Sequence, residues 1–578
     1  MRAINFQSSS RRFLICGRGN FAYSTIWGSF PFFLKAPVAS SHSPPFSCYT
    51  FHMNEIRNLP IGVQSFEEVK IKNCIYIDKT KFIAPLLSVG KPYFLSRPRR
   101  FGKSLFLSTL KAYFEGRKDL FEGLEISKTE KEWKKYPVLY FDFNVGDFTD
   151  EENFRRTLGL KLDEYEEIYG VRNKNATSPA DRFSDLLKSA HEKTGLQAAV
   201  LVDEYDKPLL NAVGDESLVD TFRKILKSFY GVIKGEDAHI RFVFITGVTR
   251  FDKVSIFSDL NNLRDISMSE AFSAICGISQ EELEANFVPE IKNMAEKNEI
   301  TKEECLEKLK KNYDGYHFSK NTRTDIYNPF SLLNAFADCN FGSYWFSTGT
   351  PTFLTKMMRE TVFDYSSLEN GIDVDSRSLE EYRLNSSEPV PMLYQTGYLT
   401  IKDYEKEFNS YTIGLPNDEV KFGLYKRLLP LYAGFYDDDK KIEIVNFLKA
   451  LRAGKVDEFM ERMNAIFAAA PKKTSQKRYE LDCQAFVWLI FKLMGEFVLC
   501  EVQNGKGRSD AVVWERGAVY IFEFKMDGSA EDALKQIDSK DYPISYKNEQ
   551  LNGRKIVKIG VNYSSAAEQL TDWKISEE

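Results

Sequence analysis

The stretch YFLSRPRRFGKSLF, Tyr93 to Phe106, decides how the first half of this chain folds. An apolar run (Tyr93, Phe94, Leu95) enters it, and a helical pattern from Ser104 to Phe114 leaves it. Strand, loop and helix N-terminus in that order predict a phosphate-binding loop, where backbone N–H groups and one lysine surround a polyphosphate. Lys103 is that lysine, Gly102 turns the chain into the helix, and the Ser104 hydroxyl is placed to face Mg²⁺. The common pattern is G-x-x-x-x-G-K-[ST]; Arg97 stands here at the first glycine position, and Arg99 and Arg100 add cations.

About a hundred residues on comes AAVLVDEYDKP, Ala198 to Pro208. Five apolar residues ending in Asp203 and Glu204 predict a buried parallel strand whose carboxylates emerge at its C-terminal edge. In nucleotide hydrolysis the first carboxylate serves the metal, and the second orients or deprotonates the attacking water. Asp206 is a second candidate for either role. A third strand, RFVFITGVTRF (Arg241 to Phe251), brings Thr246, Thr249 and Arg250 to an equivalent edge. Open parallel sheets bind ligands beyond the carboxyl ends of their strands, so the three motifs converge.

At 578 residues the chain exceeds one core, and 46 Phe with 29 Tyr supply ample interior. A net charge of −5 provides no global attraction for nucleic acid, so such binding needs a local basic patch. Eight scattered Cys lack any C-x-x-C pair or metal spacing, as expected of reduced thiols in a cytoplasmic protein. No segment reads as a membrane span. Residues 1–52 contain no Asp or Glu, and five Lys or Arg. They read either as an organellar presequence or as translated upstream sequence with Met53 as the start.

The expected organisation is α/β. A P-loop NTPase-like parallel-sheet domain spans 53–268, a helical and winged-helix-like region 269–420, and a helical linker 421–473. A C-terminal α/β domain of restriction-endonuclease type spans 474–578. In that last domain a helix (Glu480 to Met494) precedes strands FVLCEV, AVVW and AVYIFEFK and a helix from Ala530. Period-two alternation puts Ile521, Glu523 and Lys525 on one strand face, and Asp510 begins the preceding strand. An Asp, a Glu and a Lys so placed suit metal-assisted phosphodiester hydrolysis: carboxylates hold Mg²⁺, and the lysine positions water or phosphate. Lys506 and Arg508 can clamp flanking phosphates.

The motifs LPIGVQSFEE, YIDKT, SRPRRFGKS, LVDEYDKP, ITGVTRF with SIFSDLNNLRDIS, GRSD and IFEFK together resemble a bacterial family. That family joins an AAA-ATPase-like domain to a C-terminal PD-(D/E)xK nuclease-type domain. The resemblance covers nearly all of the chain from Met53, and Arg97 matches the family's own form of the loop. It implies ATP and Mg²⁺ as cofactors, with Asp510, Glu523 and Lys525 as the signature and Ser509 in place of its proline. Glu480 matches a further acid that supports the metal, and Gln536 a polar position near the site. DNA or RNA is the implied partner, an oligomer is allowed, and an arginine finger cannot be assigned. A different reading makes the chain an ATP-dependent switch whose nuclease-like module only binds a partner. In a third, nucleotide binding is lost and the loop arginines serve another anion.

Overall fold

The computed structural model describes residues 58–577 apart from 251–255, 259, 321–323, 347–357, 359–362, 364, 381–388, 433–443, 470–475, 497–499, 503–509, 541, 552 and 568. The presequence-like segment, Lys506, Arg508 and Ser509 therefore lie outside the described residues.

The first sheet uses strands buried on both faces, as their unbroken apolar runs require. In chain order the main elements are β1 (Pro92–Ser96), α1 (Lys103–Phe114), β2 (Val138–Asp142), α2 (Glu151–Tyr169), α3 (Pro179–Thr194), β3 (Ala198–Asp203), α4 (Glu216–Gly235), β4 (Ile240–Gly247) and β5 (Arg264–Asp265). The strands order as β2-β3-β4-β1-β5, all parallel. Local chemistry sets the helix starts: Asp150, Ser178 and Asp215 each accept a bond from the backbone N–H three residues on. The register Val202↔Ile245 and Leu95↔Thr246 aligns the ends of β1, β3 and β4. The loop after β1, the Asp203-Glu204 pair and Thr246 thus share one edge.

Next comes a helical region with short strands: β6 (Ile278–Ser279), α5 (Gln280–Asn286), α6 (Val288–Lys297), α7 (Lys302–Tyr313), β7 (Tyr316–His317), β8 (Asp325–Tyr327) and α8 (Pro329–Asp338). After it, β9 (Ile372–Asp375), α9 (Val390–Thr396), β10 (Thr400–Glu405) and β11 (Ser410–Gly414) form a winged-helix-like module, with antiparallel strand order β10-β11-β9. Helices α10 (Asp418–Tyr432), α11 (Ile444–Arg452), α12 (Val456–Ala469) and α13 (Gln476–Met494) lead to the second large sheet.

That sheet contains β12 (Cys500–Val502), β13 (Ala511–Trp514), β14 (Ala518–Met526), β15 (Lys555–Ser564) and β16 (Gln569–Glu577), paired in chain order. Only β14 and β15 run parallel, joined through α14 (Ala530–Ser539); the other pairs are antiparallel. The two faces of β14 divide the work. Phe522 packs on Phe459 and Phe491 of α12 and α13, while Ile521 packs with Ile537 of α14.

Candidate functional sites

The loop after β1 has the backbone of an anion cradle. Gly102 (φ +93°) and Arg100 (φ +69°) take left-handed conformations just before α1, the kind of backbone from which anion-binding nests are built. Lys103 is almost fully buried, and its ammonium is held inside its own loop: Nζ donates to the carbonyls of Arg97 (3.0 Å) and Pro98 (3.2 Å). It also lies 3.6 Å from Glu204. Glu204 follows β3 with φ +54°, a strained conformation for a non-glycine residue that throws its side chain toward the loop.

Asp203 is fully buried at the end of β3 and accepts a bond from Thr246 Oγ1 at 2.6 Å. Burial pushes its carboxyl pKa up, opposed by the nearby Ser104 and Thr246 hydroxyls. Its second oxygen, Oδ2, has no full hydrogen bond. A buried carboxylate oxygen left open beside a serine hydroxyl fits a hard divalent cation.

A cavity of about 430 Å³ opens onto this loop. Arg99, Arg100, Lys103, Ser104, Glu204 and Asn144 line its polar end. Pro60, Ile61, Tyr76, Phe287, Phe330 and Leu333 line its apolar part. That volume and mix suit a ligand with a flat apolar body and an anionic tail. Sequence reasoning missed the apolar wall, because Phe287, Phe330 and Leu333 lie some two hundred residues beyond the loop, on or beside helices with no motif of their own.

Three expected site residues are placed otherwise. Arg97 turns inward: its guanidinium donates to the carbonyls of Ser96 (2.9 Å), Ser267 (2.7 Å) and Phe272 (3.2 Å) and lies 4.2 Å from the centre of the Phe318 ring. It braces the loop from beneath and is withdrawn from the phosphate contacts. Arg250 pairs with Asp265 at 2.6 Å, its backbone N–H donates to Gln395 Oε1, and it is not among the residues lining the cavity. Asp206 accepts from Val248 N–H and from the Thr249 N–H and hydroxyl. Its carboxylate stitches β3 to the end of β4, so it is no substitute base. Burial, and then the charge of Glu204, push it up to about 6.

Lys103→Ala is expected to weaken ATP binding about tenfold to a hundredfold. It deletes a charge-assisted contact worth roughly 1.5–3 kcal/mol. Calorimetric titration that shows unchanged affinity rules out this role.

In the C-terminal domain, Asp510 stands one step beyond the Ala511↔Phe522 pair and so opposite Glu523. Its Oδ2 accepts the Phe524 N–H at 2.7 Å. Glu523 is only 2 % exposed, and one of its oxygens, Oε2, has no partner. Gln536 of α14 donates to the other oxygen and accepts from Lys525, whose ammonium lies 3.7 Å from Glu523. Burial, reinforced by Asp510, pushes Glu523 up to about 7. Burial also raises Asp510, against the Phe524 N–H and Lys525. Two facing carboxyls with an open buried oxygen fit a divalent cation. Glu480 falls on α13, but its side chain lies outside the described residues. Among the described residues no group of three or more His, Cys, Asp or Glu converges.

The raised Glu523 pKa carries a sign. Its ionised form is disfavoured in the folded protein, so its contribution to stability is complete below about pH 4.5 and is lost as pH rises through about 7. In EDTA, the melting temperature of wild type should therefore fall relative to Glu523→Gln between pH 5 and pH 8. The loss is on the order of 2 kcal/mol. Parallel pH profiles for the two proteins contradict this.

Family models match the chain twice: a predicted AAA-ATPase over residues 60–257 and the PD-(D/E)XK nuclease superfamily over residues 478–573. The chain is also 34 % identical over 517 residues to an uncharacterized protein in the vnfD 5' region of Azotobacter chroococcum mcd 1. That match covers 88 % of this chain and 96 % of that protein. The chain belongs to this family of AAA-ATPase-like proteins with a C-terminal PD-(D/E)XK domain. Among solved structures, the Aeropyrum pernix ORC1 protein in complex with DNA matches at 10 % identity and a TM-score of 0.22, over 60 % of this chain and 91 % of that one. Such a likeness is too slight to bear on fold or function. No described helix is long and apolar enough to cross a membrane. The first family match spans the phosphate loop and strands β1 to β4, and the second spans the Asp510, Glu523 and Lys525 cluster.

Proposed function

We propose that the protein binds and hydrolyses ATP in its first domain and cleaves nucleic acid phosphodiesters in its last. One observation supports both halves: each site presents a buried carboxylate oxygen with no full hydrogen bond, Asp203 Oδ2 and Glu523 Oε2. Each stands beside the groups that phosphate chemistry needs.

In the first site the loop N–H groups, Arg99, Arg100 and Lys103 hold the phosphates, while Ser104 and Asp203 would hold Mg²⁺. Glu204 takes a proton from the attacking water as the bond from the terminal phosphorus to its bridging oxygen breaks, and ADP leaves with that electron pair. In the last site Asp510 and Glu523 would hold Mg²⁺, whose charge would stabilise the phosphate and lower the pKa of the attacking water. Lys525, released from Gln536, steadies the attacking water or the scissile phosphate. A site that only docks a partner has no use for an Asp, a buried Glu and a Lys in this order, which favours the enzyme over the switch.

The test is cleavage of single- and double-stranded DNA and of RNA by full-length protein in Mg²⁺, with and without ATP, beside Glu523→Ala. Cleavage that survives Glu523→Ala, or ATP turnover with no cleavage of any substrate, returns the last domain to the switch reading.

A further inference from the structure

The cavity on the phosphate loop has, in its apolar half, one polar group that the phosphate chemistry does not use. Asn334 of α8 is among the residues lining the cavity, as is Phe330 one turn before it. The Asn334 amide nitrogen donates back to the Phe330 carbonyl at 2.7 Å. A carbonyl only accepts, so this bond fixes which way round the amide sits: Nδ2 turns to the helix, and Oδ1 is left as the free-standing acceptor. The other polar side chains of that half are committed elsewhere. Lys79 Nζ donates to the Ala274 carbonyl at 2.9 Å and to the two oxygens of Glu282 at 2.8 and 2.6 Å. The Tyr76 hydroxyl meets that of Thr109 at 3.3 Å, and Gln64 is exposed to solvent.

The loop itself sets the order of groups along the cavity. The Arg100 guanidinium lies 5.2 Å from the centre of the Phe330 ring, so the first turn of α8 borders the phosphate end. Asn334 comes one turn later on the same helix face, about 6 Å further on. A nucleotide with its phosphates in the loop sends its base that way, along Phe330 and Leu333. We propose that Asn334 selects the base: its Oδ1 accepts a hydrogen bond from the 6-amino group of adenine and rejects purines with an oxygen there. Guanine and hypoxanthine set a second acceptor against Oδ1. The amide cannot flip to meet that oxygen without losing the Phe330 bond and turning its own oxygen on the Phe330 carbonyl. Between apolar walls such a pair of acceptors is left without donors, and a site built around one substrate N–H discriminates strongly against its absence.

This role rests on the nucleotide reading of the first site, and the experiment tells the two apart. Full-length wild type, Asn334→Leu and Asn334→Asp are titrated calorimetrically with ADP and with inosine diphosphate, neither of which has a terminal phosphate to lose. The two ligands differ at position 6, amino against oxo, and at the N1 proton that goes with it. Wild type is expected to bind ADP about tenfold more tightly than inosine diphosphate. Asn334→Leu, which removes the acceptor, should bring the two within about twofold, chiefly by weakening ADP. Asn334→Asp retains an acceptor and should keep ADP ahead. Each comparison is a ratio within one protein, so a smaller folded fraction lowers both affinities alike. A wild type that binds both diphosphates equally, an Asn334→Leu that keeps the preference, or an Asn334→Asp that loses it overturns the role of Asn334 and leaves the nucleotide site standing. A wild type that binds neither diphosphate overturns both.

Discussion

Glu204→Gln is expected to leave ATP bound and to slow its hydrolysis about a hundredfold or more, the usual scale of a lost general base. The glutamine keeps the size and hydrogen-bonding reach of the side chain but cannot take a proton. Binding should change little, because Glu204 opposes the phosphates and occupies Lys103 from 3.6 Å away. Removing its charge frees that ammonium for the nucleotide. Asp206 cannot take over, since its oxygens already serve Val248 and Thr249. Turnover and binding are measured on the same full-length protein, by phosphate release and calorimetry. Turnover at the wild-type rate would place the base elsewhere on the cavity wall.

Lys525→Ala and Asp510→Asn should separate chemistry from metal binding in the last domain. Each is expected to reduce cleavage on the order of a hundredfold to a thousandfold, the scale of one lost electrostatic contact to a reacting phosphate. They should differ in the response to Mg²⁺. The measurement is made without nucleotide in an Asp203→Asn background, which removes the carboxylate that would hold Mg²⁺ in the first site. Saturating metal there stabilises a site it binds by about 2.7 kcal/mol at a hundred times its Kd. Lys525→Ala should keep that rise in melting temperature, because the ammonium acts on water or phosphate and not on the ion. Asp510→Asn should lose it, having surrendered one of two facing carboxylates. A metal-induced rise that survives Asp510→Asn would mean that the ion sits elsewhere.

The elements around both sites were legible wherever strands are buried on both faces. PYFLS, AAVLVD and IRFVFITG are apolar runs that could hardly be anything else, and each ends in the polar residues that meet at the sheet edge. The Asp510, Glu523 and Lys525 grouping was legible because strand alternation is strict. Strands β15 and β16 were not assigned: in KIVKIGVNYS and QLTDWKISE the polar residues interrupt the runs, and their pairing with β14 and with each other settles them. Charge misled at Arg97. An arginine in a phosphate loop suggests an outward cation, yet three carbonyls and an aromatic ring hold this one inside the protein, with its Nε making no hydrogen bond.

The corner Gln395-Thr396-Gly397 at the end of α9 leaves the phosphate loop no slack. Gly397 has φ +91°, and a Cβ there would lie 2.6 Å from the Pro98 side chain. Gln395 holds the Arg250 N–H, and Trp345 Nε1 donates to the Arg99 carbonyl at 3.4 Å. Further on, Tyr425 of α10 stacks edge-on with Trp488 of α13 and donates to Glu369, which Lys492 of α13 also holds. Between the α9 corner and Pro98 there is thus no room for a methyl group. If Lys103 is to leave the carbonyls of Arg97 and Pro98 for a phosphate, any accompanying shift of the loop is expected to carry the α9 corner with it.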